Sequence, residues 1–156
     1  MIALKNILVP TDFSDTSANA VRYAKAFAET FQASLHLLHV VEELLVYAWT
    51  PPEGSIPLAA DIRADLEVRT REQLHKLLTD AERERFHAHF LALTGSPFVE
   101  IVRYAKEQDI DLIVMGTHGR GPIAHMLMGS VAEKVVRKAP CPVLTVRHPE
   151  HEFVMP

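Results

Sequence analysis

Cysteine is nearly absent from this sequence, with one in 156 residues. A single cysteine cannot form a disulfide within the chain, so a reducing compartment is the natural environment for the protein. Cys141 lies between two prolines and has no lysine or arginine within two residues that would lower the pKa of its thiol. We therefore expect Cys141 to serve in packing rather than in chemistry.

Long hydrophobic runs are also absent. No stretch approaches the roughly 20 apolar residues that a membrane-spanning helix requires. The first residues, Met1 to Asn6, lead directly into a predicted strand and lack the charged region, apolar core and cleavage site of a signal peptide. Together with the cysteine count, this pattern predicts a cytoplasmic protein.

Basic residues are too few for a nucleic-acid-binding surface. The chain has 16 Lys and Arg against 20 Asp and Glu, a formal net charge of −4. Nonspecific nucleic-acid binding needs a basic face, so that class of protein is disfavoured. With 48% hydrophobic and 23% charged residues, the composition is that of an ordinary globular domain. The length predicts a single domain.

Short apolar runs alternate with segments of helical periodicity along the whole chain. The runs predict five strands: Ile7 to Val9, Leu35 to Val41, Phe86 to Leu93, Asp111 to Met115 and Val143 to Val146. The periodic segments predict four helices: Ser14 to Gln32, Ala59 to Glu84, Phe98 to Gln108 and residues 129–138. This alternation predicts an α/β fold with a parallel sheet and helices on both faces.

Two segments fall outside these elements. Glu42 to Pro57 contains three prolines and a glycine, so we expect a long loop, and its Trp49 indicates that it folds over either the core or a ligand. We expect residues 1–147 to form the domain and residues 148–156 to form a C-terminal tail that frays.

Glycine is scarce, yet three of the six glycines fall in one pattern, Gly116-x2-Gly119-x9-Gly129-Ser130, between a predicted strand and a predicted helix. Gly116 and Gly119 would let the backbone adopt φ > 0 and approach a ligand. Gly129 and Ser130 open the helix, where unpaired N–H groups attract phosphate. An ordinary turn followed by a serine helix cap accounts for the same residues, so this pattern alone leaves both interpretations open.

Neither common phosphate-binding motif accounts for the glycines. The sequence has no G-x-x-x-x-G-K-[ST]. The dinucleotide motif G-x-G-x-x-G belongs after the first strand, where this chain has Pro10, Thr11 and Asp12. A different kind of site is therefore indicated.

The glycine spacing, followed by Val131-Ala-Glu-Lys-Val-Val136 and Pro140-Cys-Pro-Val-Leu144, resembles the ATP-binding branch of the universal stress protein family. Ile7-Leu-Val-Pro-Thr-Asp-Phe-Ser14 and Leu37-Leu-His-Val40 are also similar to that family, so the resemblance covers nearly the whole chain. It implies a single open, Rossmann-like sheet of five strands in the order 3-2-1-4-5. The first and fourth strands would then be neighbours, with Asp12 and Gly116 facing one crevice.

The resemblance further implies ATP in that crevice, with Mg²⁺ or Mn²⁺ bridging the phosphates, and a homodimer formed through Val143 to Val146. Asp12 would contact the adenine or the metal and phosphates, and Val40 would supply apolar contact to the adenine. His118 and Arg120 can donate hydrogen bonds to phosphate, although both side chains could equally be solvated. The expected binding residues are Pro10, Thr11, Asp12, Val40, Met115, Gly116, His118, Gly119, Arg120, Gly129, Ser130 and Val131.

The chain departs from the common family pattern at Gly121-Pro122, where many members carry Thr or Ser and then Gly. Pro122 stiffens the loop and could change access to the phosphates. His87 and His89 are predicted on one face of a strand, but no carboxylate or cysteine nearby in sequence completes a metal-binding set. We therefore expect no dedicated metal site on the protein.

Three functions remain open at this point. The first is a nucleotide-dependent dimer in stress response or signalling. The second is a slow ATP hydrolase or phosphotransferase, although the sequence offers no evident lysine clamp or catalytic pair. The third is a dimeric interaction module without nucleotide, against which the intact glycine spacing argues.

Overall fold

The computed structural model describes residues 1–42, 58–117 and 128–147. Its strands are β1 Asn6–Pro10, β2 Ser34–Glu42, β3 His89–Gly95, β4 Leu112–Gly116 and β5 Val143–Val146. Its helices are α1 Asp15–Phe31, α2 Leu58–His75, α3 Asp80–Arg85, α4 Pro97–Glu107 and α5 Ser130–Lys138. None of the helices in these ranges is long and apolar enough to cross a membrane.

The five strands form one parallel sheet in the order β3-β2-β1-β4-β5. This confirms the α/β fold and the strand order that the family resemblance implied. The chain leaves β1 toward β2 on one side and later returns to place β4 on the other. The carboxyl ends of β1 and β4 therefore border the point where the strand order reverses, which is where open α/β sheets bind ligands.

The sheet is buried on both faces, which explains why its inner strands are mostly apolar. Ile7, Leu8 and Val9 of β1 have no solvent exposure. Alternate residues supply two cores, because successive side chains in a strand point to opposite faces. Ile7 and Val9 join the cluster that includes α1, and Leu8 joins the cluster that includes α4 and α5.

The predicted first helix is confirmed with both of its ends. Ser14 is the N-cap and its hydroxyl accepts the N–H of Ser17, 3.3 Å away. The buried face carries Ala20, Val21, Ala24 and Ala28. Gln32 closes the helix in the left-handed region at φ 54°, and its N–H donates to the carbonyl of Ala28. The small residues of that face allow the helix to lie close to the sheet.

The prediction of one helix from Ala59 to Glu84 is wrong, because the structure has two helices there. Thr79 is the N-cap of α3 and forms a capping box in which its hydroxyl accepts the N–H of Glu82 and the Glu82 carboxylate accepts the N–H of Thr79. A capping box satisfies the first free N–H groups of a new helix, so it starts α3 within a continuous helical pattern.

The third strand begins later than predicted, at His89 instead of Phe86. Phe86 is the C-cap of α3 and is buried in the core, so its apolar character reflects packing and not strand structure. His87 follows at φ 42° and turns the chain into β3. The other predicted boundaries agree with the structure within two residues.

His89 was expected to share a strand face with His87, but its ring partner is His36 of β2. The two rings stack with centroids 4.4 Å apart. His36 is buried, and its Nδ1 lies 2.8 Å from the Tyr104 hydroxyl, while its Nε2 has no hydrogen-bond partner. Burial, with a smaller effect of His89, lowers the pKa of His36 from 6.5 to about 4.

We expect His36 to make the fold less stable in acid. Between pH 6.5 and about 4 the unfolded chain binds a proton at His36 that the folded chain does not, so the free energy of unfolding falls as the pH drops. Above pH 6.5 the contribution is fully present. The difference between the two pKa values corresponds to about 3 kcal/mol.

Urea unfolding at pH 7 and pH 4.5 checks this expectation. The loss of stability in acid should be smaller by about 2 to 3 kcal/mol in His36→Phe than in the wild type, because phenylalanine does not titrate. The Tyr104 hydroxyl loses its partner in this variant, and this lowers the free energy of unfolding equally at both pH values. Equal acid sensitivity in the two proteins would show that His36 is not the responsible group.

Candidate functional site

The turn between β1 and α1 is held by a chain of hydroxyl groups. The Ser17 hydroxyl donates to the Ser14 carbonyl at 2.9 Å. The Thr11 and Ser17 hydroxyls lie 2.9 Å apart, so with the Ser17 proton engaged, Thr11 is the donor of that pair. The Thr11 oxygen in turn accepts the N–H of Phe13 at 3.0 Å. Thr11 and Ser17 are both buried, so these hydrogen bonds fix the turn to the protein interior.

Asp12 lies at the tip of this turn and is half-buried. Its carboxylate accepts the N–H of Ser14 at 3.0 Å, so it has the helix-start role that any carboxylate could have there. A carboxylate has about four acceptor positions. The hydrogen bond to Ser14 is therefore compatible with a further contact to a ligand.

Phe13 has a backbone conformation that is unusual for a large side chain. Its φ is 62°, in the left-handed region. For residues other than glycine, that region costs on the order of 1 to 2 kcal/mol. Such conformations persist only where surrounding contacts impose them, and they cluster at ligand sites. The strain at Phe13 makes this turn a candidate part of a functional site.

The end of β4 lies directly against this turn through Gly116. A Cβ atom at position 116 would lie 2.8 Å from Cγ2 of Thr16 and 3.2 Å from its carbonyl carbon. The expectation of φ > 0 at Gly116 is wrong, because the positive-φ glycine of the described chain is Gly95. Gly116 is needed for close approach between α1 and β4, and the missing side chain faces the helix instead of a ligand.

Helix α5 starts at Ser130 with Gly129 as its N-cap, as the glycine pattern predicted. Gly129 has φ −69° and ψ 157°, and no side chain caps the helix. The N–H of Gly129 donates to the carbonyl of Thr117, and the N–H of Thr117 donates to Val146 at 3.0 Å. These bonds hold the start of α5 beside the end of β4.

The apolar candidates lie in the core under α4 and α5. Val40 and Met115 are buried members of that cluster, and Val131 packs against it. Pro10, the last residue of β1, is buried as well. These four residues therefore have packing roles whether or not a ligand is present.

The remaining candidates, His118, Gly119 and Arg120, lie outside the described residues, as do Gly121 and Pro122. Trp49 and the rest of the predicted loop from residue 43 to residue 57 do too. In the described ranges, the predicted site residues lie at four places: the end of β1 with the β1–α1 turn, the carboxyl-terminal half of β2, the end of β4 and the start of α5. Among the residues that the structure describes, no group of three His, Cys, Asp or Glu side chains is placed to hold a metal ion.

Sequence reasoning missed His39. Its Nδ1 lies 2.7 Å from the Thr11 carbonyl oxygen, and its ring lies 4.8 Å from that of Phe13, centroid to centroid. The signal was a polar residue in the apolar run of β2, one of two histidines there with His36, placed one position before Val40. Cys141 behaves as expected for a packing residue, since burial raises the pKa of its thiol.

An open parallel sheet with a polar turn and a helix N-terminus beside its switch point defines an α/β protein of the doubly wound class, in which ligands commonly bind at that point. The model of the universal stress protein family matches residues 3–147, and the chain belongs to this family. It is 38% identical to universal stress protein MJ0531 of Methanocaldococcus jannaschii over 148 residues, covering 95% of this chain and 85% of that protein.

Solved structures show the same similarity. Protein MJ0577, also from Methanocaldococcus jannaschii, superposes with a TM-score of 0.78 at 30% identity, covering 94% of this chain and 97% of that one. Universal stress protein UspA from Lactobacillus plantarum has a TM-score of 0.77 at 29% identity, covering 94% of this chain and 100% of that one. The shared fold extends over nearly the whole of each chain.

Proposed function

We propose that this protein binds ATP in the crevice between β1 and β4 and acts in stress response or signalling as a nucleotide-dependent dimer. The observation that carries the proposal is the placement of Asp12 and the N-terminus of α5 at the carboxyl ends of two adjacent strands. We keep the cytoplasm as its proposed location, because a chain with a single cysteine suits a reducing compartment.

The start of α5 has the chemistry that a phosphate group requires. The first N–H groups of a helix have no partner within the helix and carry the positive end of its dipole. Gly129 brings no side chain that would occupy them, and the hydroxyl-bearing residue Ser130 is exposed. The acidic residue of the first turn, Glu133, pairs with Arg137 at 2.8 Å, which weakens its repulsion of an anion.

The β1–α1 turn can bind either the adenine end of the nucleotide or the metal ion that accompanies its phosphates. The Asp12 carboxylate can accept a hydrogen bond from an amino group or bind a divalent cation. The described residues gather no set of three metal ligands, so we propose that Mg²⁺ or Mn²⁺ enters with the phosphates and is held mainly by them.

One further structure bears on the fold. A universal stress protein solved in complex with cAMP has a TM-score of 0.63 and 24% identity to this chain. At that identity the likeness is one of fold, so the proposal depends on the contacts of this chain's own residues.

The decisive experiment is to denature freshly purified protein and identify any released nucleotide by mass spectrometry, with calorimetric titration of Mg-ATP as the second measurement. We expect adenine nucleotide in the first and saturable binding in the second. Multiple-turnover release of phosphate would make the protein a slow hydrolase. Failure to bind any nucleotide in both measurements would favour an interaction module.

We propose that the dimer forms through β5, the edge strand next to β4. An edge strand exposes unpaired backbone groups, and Val143, Leu144 and Thr145 are only half-buried. Light scattering should give twice the chain mass of 17.5 kDa for the wild type. Leu144→Pro removes a backbone N–H on the β4 side of β5, which disrupts the edge strand, and it should yield monomers or aggregates. A monomeric wild type at micromolar concentration would rule this assembly out.

A further inference from the structure

The Thr11 carbonyl is held by a side chain from the neighbouring strand. The N–H of Thr11 donates to the Leu38 carbonyl at 2.8 Å and extends the β1–β2 ladder past the end of β1. One residue along β2, His39 places its Nδ1 2.7 Å from the Thr11 oxygen. Because a carbonyl only accepts hydrogen bonds, Nδ1 carries a proton whether the ring is neutral or charged.

The same imidazole also packs against the residue on the other side of Asp12. The rings of His39 and Phe13 have centroids 4.8 Å apart and planes inclined by 35°. Phe13 is the residue at φ 62°, a conformation that external contacts must stabilise. His39 therefore contacts the turn immediately before and immediately after Asp12.

We propose that His39 is a positioning residue for the nucleotide site: by binding the Thr11 carbonyl and covering Phe13, it holds Asp12 in the conformation that meets the ligand. The inference depends on the proposed ATP binding. Without His39 the strained turn would relax into other conformations, and only a fraction of molecules would be ready to bind. The apparent affinity falls in proportion to that fraction.

Three substitutions separate the hydrogen bond from the bulk of the ring. His39→Asn places an amide nitrogen where Nδ1 lies, His39→Gln carries the same amide one carbon farther, and His39→Leu removes the donor. With Mg-ATP in calorimetry, we expect roughly five- to tenfold weaker binding for the leucine and glutamine variants. The asparagine variant should stay within about threefold of the wild type, because it keeps the hydrogen bond and loses only the ring contact with Phe13.

Circular dichroism and thermal melting identify the variants that are folded at the titration temperature. If His39→Leu does not fold, the comparison between asparagine and glutamine decides, since both carry the same amide. A role in stability alone would lower the melting temperature of the variants and leave their affinities equal. Equal affinities, or an asparagine variant as weak as the leucine variant, would overturn the inference.

The tautomer of His39 gives a readout that needs no ligand. Nitrogen-15 NMR of the imidazole should show the proton on Nδ1 near neutral pH. A proton found only on Nε2 would overturn the inference even if ATP binds normally. A wild type that binds no ATP would overturn the proposed function and this role with it, whereas a wild type that binds ATP with unaffected variants would overturn this role alone.

Discussion

Replacing Gly116 by valine is expected to destabilise the fold by about 3 kcal/mol or more, at the upper end of what overpacking costs. An added Cβ would lie 2.8 Å from Cγ2 of Thr16, 3.2 Å from the Thr16 carbonyl carbon and 3.3 Å from the Ser17 nitrogen. Two of these three atoms belong to the backbone of α1. A side-chain rotation therefore cannot relieve the contact, and the helix itself must move away from β4.

Moving α1 disturbs both the core and the candidate site. Its residue Ala20 is fully buried against the sheet, and Ser17 closes the hydroxyl chain that fixes the Asp12 turn. Urea unfolding of Gly116→Val should show a much lower midpoint than the wild type, and Gly116→Ala an intermediate one. ATP binding should weaken together with stability, because the same helix carries both.

Thr16→Ser provides the matched test of this contact. It deletes Cγ2, the atom nearest to the added Cβ, and leaves the hydroxyl in place. Combined with Gly116→Ala, it should recover part of the lost stability, whereas by itself it should have a small effect. Additive effects of the two substitutions, or a valine variant as stable as the wild type, would show that α1 and β4 are not in such close contact.

The strands could be predicted because burial on both faces leaves a continuous apolar run, as in Ile7 to Val9. Their order could not be derived in the same way, since a run of apolar residues does not specify which strand lies beside it. The order 3-2-1-4-5 came from the family resemblance. The pairing of Ile7 with Leu112 and of Leu8 with Ile113 then brings β1 and β4 together.

Glycine shows the limit of local reasoning at the site. A glycine indicates that a Cβ atom would not fit at that position, but the sequence does not say whether the reason is a positive φ, a ligand or a neighbouring helix. At Gly116 the reason is Thr16, which is 100 positions away in the chain. The role of His39 likewise depends on Thr11 and Phe13, which only the pairing of β1 with β2 brings into contact.

The break between α2 and α3 is a different case, because its signal was local. Thr79-Asp-Ala-Glu82 has the Thr-x-x-Glu spacing of a capping box. The surrounding residues keep a helical pattern that hides this start signal. A capping box is therefore a stronger indication of a helix start than unbroken periodicity is of a single helix.

The largest expected effect on function is at Gly129, where aspartate should reduce ATP affinity by up to about a thousandfold relative to asparagine. Gly129 has φ −69° and ψ 157°, a conformation that any L residue adopts without strain. Asparagine and aspartate are equally good N-caps, so both should preserve or slightly stabilise α5. The two side chains have the same size and shape and differ in charge.

That difference isolates the electrostatic part of the proposed phosphate site. A carboxylate within about 4 Å of a phosphate oxygen costs up to about 4 kcal/mol at the effective dielectric of a protein surface. Any steric hindrance by the new side chain is common to both variants and cancels in their ratio. Calorimetry in buffer of low and then moderate ionic strength should show the ratio shrinking with salt, because screening weakens exposed charges. Equal affinities of the two variants for Mg-ATP would place the phosphates away from α5. If both variants bind Mg-ATP as tightly as the wild type does, the function of the protein does not require nucleotide at this helix.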